Sequence, residues 1–472
     1  MNKTPYHIRL LCTVVILLLL TPLLLGADSG CGAATPYNHV LVISDVHFDP
    51  FDDPTIFNDL VNANAADWNA IFAKSTATDL PGYGSETNYP LLSKALNSAA
   101  SMQKNPSLII LPGDILRHHF ASTFNELFGA GVTSSDRNGF ILKTLKFFIL
   151  QVQEHYPNTP VLFTLGNNDS YQGNYLLDAG GEFLSETADM FYTDFLKSQA
   201  DSSAYSTTYK AGGYYTATFG RDDIIFINLT SILFSKNRPT PVLGDAAYTQ
   251  LDWLESQLLA ARQAGKRAFI VTHIPPGTDV YGTVKQYMKS SGAISDVAPM
   301  WHADYQTRFM SIADTYEDVL EVAFSGHTHL DEFRLIFDAA RTRNGDPILT
   351  CQSISPIFYN NPGYKLFTLN ATNWELIDYK AYTLDLTDQN ADFKIAYSFQ
   401  DQYVVGAPTS KGMTDLFTSF GVSSSAKDDY IANYYSDSEH NAINDTNWPS
   451  YRMSAGYIRP ALYKAAVNAS IP

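Results

Sequence analysis

Five short apolar runs in this chain each end in side chains able to hold a cation. His39–Ser44 (HVLVIS) leads into Asp45-Val46-His47, Ser107–Leu111 (SLIIL) into Pro112-Gly113-Asp114, and Pro160–Leu165 (PVLFTL) into Gly166-Asn167-Asn168-Asp169. Arg267–Thr272 (RAFIVT) leads into His273-Ile274-Pro275-Pro276-Gly277, and Leu320–Ser325 (LEVAFS) into Gly326-His327-Thr328-His329. The chain has 11 histidines; four stand in these motifs, and His118 follows Asp114 closely. Carboxylate, amide oxygen and imidazole suit Zn²⁺, Mn²⁺ or Fe with no thiolate. The candidate ligands are Asp45, His47, Asp114, Asn167, His273, His327 and His329. Such a set exceeds one tetrahedral site and fits two divalent cations sharing a carboxylate, about 3.5–4 Å apart. Residues i and i+2 of a strand share a face, so Asp45/His47 and His327/His329 read as two-pronged clamps if the strands run through them. Glycine precedes Asp114, Asn167 and His327, where a missing side chain permits a sharp turn and close approach.

The elements that must position these residues follow from periodicity. Short apolar runs bounded by turn signals read as buried strands. Tyr89–Gln103, Phe140–His155 and Tyr248–Ala264 carry apolar residues at helical spacing. Strand alternating with helix predicts a parallel or mixed sheet with helices on its faces, and ligands in such sheets bind beyond the carboxyl ends of strands. Tyr214–Phe234 and Tyr364–Leu386 alternate differently and break at Gly220-Arg221-Asp222 and Asn370–Asn373, so they read as hairpins of a second sheet or antiparallel edges. Residues 387–472 show no strand–motif repeat and read as a C-terminal elaboration packed on the main domain, with helix at Asp401–Phe420 and Tyr430–Tyr435.

Composition bounds the function. Charged residues are 17% and hydrophobic ones 45% of the 472, which excludes a mostly disordered chain. The net charge of −17 excludes nucleic-acid binding by a basic face. Three cysteines exclude a disulfide-dense scaffold and a multi-cysteine metal site. Lys3 and Arg9 precede an apolar run at Leu10–Leu25, and small residues follow at Gly26 and Ala27. This is the pattern of a secretory signal, residues 1–27, and implies a secreted, periplasmic or luminal protein. An uncleaved anchor is the alternative, but the run is short for a hydrocarbon core of ~30 Å and Pro22 interrupts it. Lipidation at Cys31 is a third reading. No other run is long and apolar enough to span a bilayer, so the mature chain is not expected to insert stably. Cys31 and Cys351 either pair or stay free.

The ordered series Asp-x-His, Gly-Asp, Gly-Asn-x-Asp, His and Gly-His-x-His resembles the calcineurin-like metallophosphoesterase superfamily. SDVHFDP (44–50), GDILRHH (113–119), LGNND (165–169), HIPPG (273–277), FSGHTHLDEFR (324–334) and NPGYKLF (361–367) resemble its acid sphingomyelinase-like phosphodiesterases. Endopolyphosphatases are similar and share the Gly-Asn-Asn-Asp form. The resemblance covers 38–386, the expected catalytic domain. It implies an α/β fold of two packed mixed β-sheets flanked by helices, a four-layer α/β/β/α sandwich. It also implies that Asp45, His47, Asp114 and His329 hold one metal and Asp114, Asn167, His273 and His327 the other, with Asp114 bridging. His118 matches the family histidine that protonates the leaving group. Two features depart from the pattern. Asn168 stands where the superfamily usually has histidine; it can donate a hydrogen bond to phosphate but cannot transfer a proton. True acid sphingomyelinases carry an N-terminal lipid-handling saposin domain; here about a dozen residues separate the expected signal from the first expected strand, so extraction of sphingomyelin from membranes is not implied.

The resemblance therefore implies an exported enzyme with two divalent metals, zinc first and manganese or iron as alternatives. It would hydrolyse phosphodiesters or phosphoanhydrides by attack of a metal-bridging hydroxide, with His118 as general acid and Asn168 on the phosphate. Its partner would be a small phosphorylated substrate: a phosphodiester, nucleotide or polyphosphate. Alternatives are a phosphomonoesterase, an endopolyphosphatase-like hydrolase, or a metal-stabilised binding protein without catalysis. His119 reads as a rim residue, Trp301-His302 as packing, and Asp331 and Arg334 as support, with orientation of His329 a role open to the Asp331 carboxylate.

Overall fold

The computed structural model describes residues 37–338 and 340–471. The signal segment and Cys31 lie outside the described residues. Twelve strands form two six-stranded sheets. In the first, β1 (Tyr37–Val42), β2 (Leu108–Leu111) and β3 (Val161–Phe163) run parallel, and β1 pairs antiparallel with β10 (Gly363–Asn370). β11 (Leu376–Thr383) and β12 (Lys394–Ser398) extend that side antiparallel, for the order β12-β11-β10-β1-β2-β3. The second sheet has the order β4-β5-β6-β7-β9-β8. Its parallel centre is β5 (Ile224–Leu229), β6 (Arg267–Thr272), β7 (Leu320–Ser325) and β9 (Asp346–Thr350). β4 (Tyr215–Ala217) and β8 (Phe333–Ile336) pair antiparallel at its edges.

Alternation along the strands explains the layering. In β5 and β6, Phe226, Phe269 and Val271 enter the larger core, while Ile227 and Ile270 enter a second core with the helices Ala246–Gln263 and Ala303–Thr315. Phe324 of β7 meets Phe367 of β10 edge-on at 5.2 Å, so the sheets pack face to face. On the outer side of β10, Tyr364 shares a hydrogen bond with Ser98 of the helix Tyr89–Met102. The fold is thus α/β, two mixed sheets between helices, as the sequence implied.

Local sequence accounts for most boundaries. Asn88 caps the helix Tyr89–Met102 through the Leu91 N–H. The helix expected from Phe140 begins at Ser134, because Thr133 and Asp136 form a reciprocal capping box ahead of a polar first turn that carries no apolar signal. Both expected hairpins form. The helix expected over Asp401–Phe420 divides into Phe399–Tyr403 and Ser410–Ser419: Val404 (φ 51°) and Gly406 (φ 88°) turn left-handed, and Pro408 follows. A last strand, β12, lies beyond residue 386; its mostly exposed side chains give little burial pattern to read.

Candidate metal and phosphoester site

The carboxyl ends of β1, β2, β3, β6 and β7 converge where the two sheets join. Ser353 bridges to Ser44 in parallel fashion, and the Ile354 and Ser355 N–H groups donate to the carbonyls of Ser44 and Asp45. The Gly326 N–H donates to the His273 carbonyl. The expected i, i+2 clamps do not form by strand geometry. β1 ends at Val42 and β7 at Ser325, and Asp45, His47, Asp114, His327 and His329 all adopt positive φ, between 45° and 73°. Such backbone is uncommon for non-glycine residues and concentrates at functional sites. The prongs converge because tight left-handed turns re-aim them. Neighbouring glycines make room: a Cβ on Gly166 would fall 2.1 Å from the Asp114 backbone nitrogen, and one on Gly326 would fall 2.3 Å from Ser44 Oγ.

Of the three groups of donor atoms that lie within 4.8 Å among the described residues, two share Asp45, namely Asp45/His47/His329 and Asp45/Asp114/His273, and the third is His47/Glu86/His118. Asp114 Oδ2 stands 3.4 Å from both His47 Nε2 and His273 Nε2. His47 Nε2 is 3.0 Å from His329 Nε2, and His329 Nε2 is 3.5 Å from Asp45 Oδ1. Asn167 Oδ1 lies 3.1 Å from His273 Nε2. His327 stands apart from both groups. Its backbone N–H donates to both Asp45 oxygens at 3.0 Å, and its ring packs edge-on against His273 at 5.1 Å.

Backbone carbonyls fix two of the imidazoles. His47 Nδ1 faces the Leu116 carbonyl at 3.1 Å and His273 Nδ1 the Pro112 carbonyl at 2.8 Å, which turns each Nε2 inward as a candidate ligand atom. Burial, with the neighbouring His118 charge, pushes His47 down to about 4. Burial and the same kind of neighbour push His327 and His329 well below the usual histidine range. Burial raises Asp45 to about 7, with Asp114 adding to the rise and His273 opposing it. Burial also disfavours charge on His273, but the Asp114 carboxylate outweighs it and raises that imidazole to about 9. Imidazole nitrogens and an amide oxygen among buried carboxylates are a donor set that fits divalent cations once His273 gives up the proton that Asp114 favours on it.

Several residues serve roles the motifs did not show. Glu86, buried at 8% exposure, binds His118 Nδ1 at 3.0 Å and the His118 N–H at 3.1 Å. Burial opposes charge on His118, yet Glu86, with Asp114 and Asp45, raises it above its ordinary value. The His118 ring stacks on His47 at 4.2 Å. Arg117 pairs with Asp49 and donates to the His118 carbonyl, steadying the same loop. Nothing in the Gly-Ser-Glu-Thr-Asn text around Glu86 ends a strand, so no pattern flagged it. Asn168 donates its side-chain amide to Asp114 Oδ2 at 2.9 Å and its backbone N–H to Oδ1 at 2.7 Å, so it fixes the carboxylate shared by two imidazoles. Asp169 accepts from the Ile115, Leu116 and Gly166 N–H groups and ties the Asp114 and Asn167 loops together.

The Asp331 carboxylate does not orient His329. It accepts from Lys365 Nζ at 2.6 Å and from the Tyr397 hydroxyl at 2.7 Å, because the chain leaving the ligand loop turns it toward β10. Arg334, fully buried, donates to Pro276 O and pairs with Glu332. His119 is an exposed residue at a helix start, and Trp301 is buried with its indole N–H on Ile274 O. Cys351 is buried and has no disulfide partner among the described residues, and burial pushes its thiol up to about 12. Among the described residues, no helix is long and apolar enough to cross a membrane.

Comparison with known proteins agrees with this geometry. The chain is 28% identical over 353 residues to sphingomyelinase phosphodiesterase D of Dictyostelium discoideum, covering 71% of this chain and 72% of that one. It is 26% identical to sphingomyelinase phosphodiesterase C of the same organism, covering 69% of each. It is 26% identical to the rat cyclic GMP-AMP phosphodiesterase SMPDL3A, over 59% of this chain and 60% of that one. The family model for calcineurin-like phosphoesterases matches residues 39–331, and the chain belongs to that family of metal-dependent phosphoester hydrolases.

Proposed function

We propose that the chain is an exported phosphodiesterase using two divalent cations, zinc first and manganese or iron as alternatives. In this reading residues 1–27 are a cleaved signal, 38–386 the catalytic domain and 387–472 a C-terminal elaboration packed on it. The observation that carries the reading is Asp114 Oδ2 lying equally close to His47 Nε2 and His273 Nε2, one imidazole from each sheet. Asp45, His47, Asp114 and His329 would hold one cation, and Asp114, Asn167, His273 and His327 the other. The chemistry that such a pair supplies, when bound, is neutralisation of phosphate charge and activation of water as the nucleophile.

The chain's own groups do the rest. Glu86 accepts the Nδ1–H of His118, which leaves Nε2 to hold the proton that a departing alkoxide needs. The upward shift of His118 keeps that proton in place closer to neutral pH. Asn168 and Asp169 keep the Asp114 carboxylate and its loop from turning. The mature chain would act on a small phosphorylated molecule, with a diester favoured by the phosphodiesterase names of the relatives. The test is metal analysis of the purified protein, followed by rates on bis-p-nitrophenyl phosphate, p-nitrophenyl phosphate, ATP and sphingomyelin. Two metals per chain with diester cleavage is the expected result. A fully loaded protein that cleaves none of the four would defeat the hydrolase reading, and N-terminal sequencing of exported protein checks the signal.

A further inference from the structure

His329 differs from the other two imidazoles at the centre of the site. His47 and His273 are each held at Nδ1 by a backbone carbonyl. The Nδ1 atom of His329 is buried and has no hydrogen-bond partner among the described residues. Its ring is set from the other side, with Nε2 3.0 Å from His47 Nε2 and 3.5 Å from Asp45 Oδ1, and by packing: the centre of the near-perpendicular Phe358 ring lies 4.6 Å away and that of the His47 ring 4.8 Å away. The Ser353 N–H holds the His329 carbonyl at 3.1 Å, and the pose of the ring depends further on what holds the stretch leaving His329 and the loop bearing Phe358.

Both loops are gripped by one turn of the C-terminal segment. The Asp331 N–H donates to the Tyr434 carbonyl at 3.0 Å, and the Tyr434 hydroxyl donates to Glu332 Oε2 at 2.8 Å, on the stretch leaving His329. On the Phe358 loop, the Asn361 amide donates to the Ser436 carbonyl at 3.1 Å and Ser438 Oγ donates to the Tyr359 carbonyl at 2.6 Å. Tyr434 and Glu332 are buried at 2% and 3% exposure, so the bond between them is shielded from water. Between the two grips, Ser436 (φ 55°) and Asp437 (φ 58°) both turn left-handed, a costly backbone that persists only when its surroundings impose it.

We propose that the turn Tyr434–Ser438 is a buckle that positions His329, with Tyr434 and Ser438 as positioning residues for the cation His329 would hold. The inference rests on the two-cation reading. Removal of a group bonded directly to a ligand costs about 10–100-fold in metal affinity, and the buckle, one contact further out, takes the lower end of that range as its expected effect. The experiment is calorimetric titration of the metal-free full chain with Zn²⁺ alone, together with its melting temperature. Wild type, Ser438→Ala, Ser438→Thr and Tyr434→Phe are compared. The expected result is two binding events in wild type and, in Ser438→Ala, one event weakened about tenfold or more with the other unchanged. Ser438→Thr, which keeps the hydroxyl, restores the weakened event. Tyr434→Phe behaves like Ser438→Ala; if it does not fold, the Ser438 pair decides. A lowered melting temperature with both events unchanged, or equal weakening of both, overturns the buckle. Fewer than two events in wild type defeats the two-cation reading itself, and the buckle falls with it.

Discussion

The two sides of the candidate site are built differently. His47 and His273 take their orientation from carbonyls in the Asp114 segment, Leu116 and Pro112, so the centre carries its own scaffold. The Gly-His-Thr-His loop has no such scaffold. His327 touches Asp45 through its backbone and His273 through a ring edge, and His329 depends on packing and on a distant turn. One half is fixed by neighbours within the strand-end motifs; the other takes its backbone from them, through the Gly326 and His327 N–H groups, and draws further support from outside. Sequence motifs name the candidate ligands of both halves but record the support of only the first.

The largest effect is expected where the halves meet. Asp114→Asn should lower turnover by about 10³-fold or more and disturb both cation-binding events, read by steady-state kinetics and calorimetry. Loss of only one event would mean that the halves do not share this carboxylate. Next in size, His118→Ala should slow substrates with poor leaving groups by about 10²-fold and spare those with good ones, and Glu86→Gln should do the same more weakly. Equal loss across leaving groups would remove His118 as the proton donor.

Acid should separate the halves further. The raised value of His273, about 9, means its proton must leave before a cation binds there. Affinity for that cation should then climb about tenfold per pH unit from neutrality and level off above about 9, with one proton released, as measured by titration in buffers of different ionisation heat. The other event should slope only below about 7, where Asp45 takes up a proton, because His47 and His329 are already neutral. Matching slopes would erase the distinction. The smallest effect belongs to neither half: with a net charge of −17, association of an anionic substrate should quicken by a few-fold as salt rises. A steep fall with salt would show a locally positive approach.

Much of this was legible in the chain. β6 and β7 fall where the apolar runs put them, because a strand buried on both faces is a continuous hydrophobic text. The strand-end motifs named the residues that converge on Asp114. The means of convergence was not legible, since period-2 reasoning assumes extended backbone and these residues turn left-handed instead. Glu86 was invisible because a buried carboxylate in a loop acquires meaning only from the histidine it meets across the fold. Asp331 was misjudged for the same reason: proximity in sequence to His329 says nothing about Lys365 and Tyr397, which claim it.

The five left-handed side chains of the centre have one more implication. Glycine at Asp45, His47, Asp114, His327 or His329 would sit in its backbone pose without protest. A chain that abandoned its chemistry could thus become hardier by erasing those side chains, and thermal robustness among crippled variants would be a symptom of lost purpose rather than of better construction.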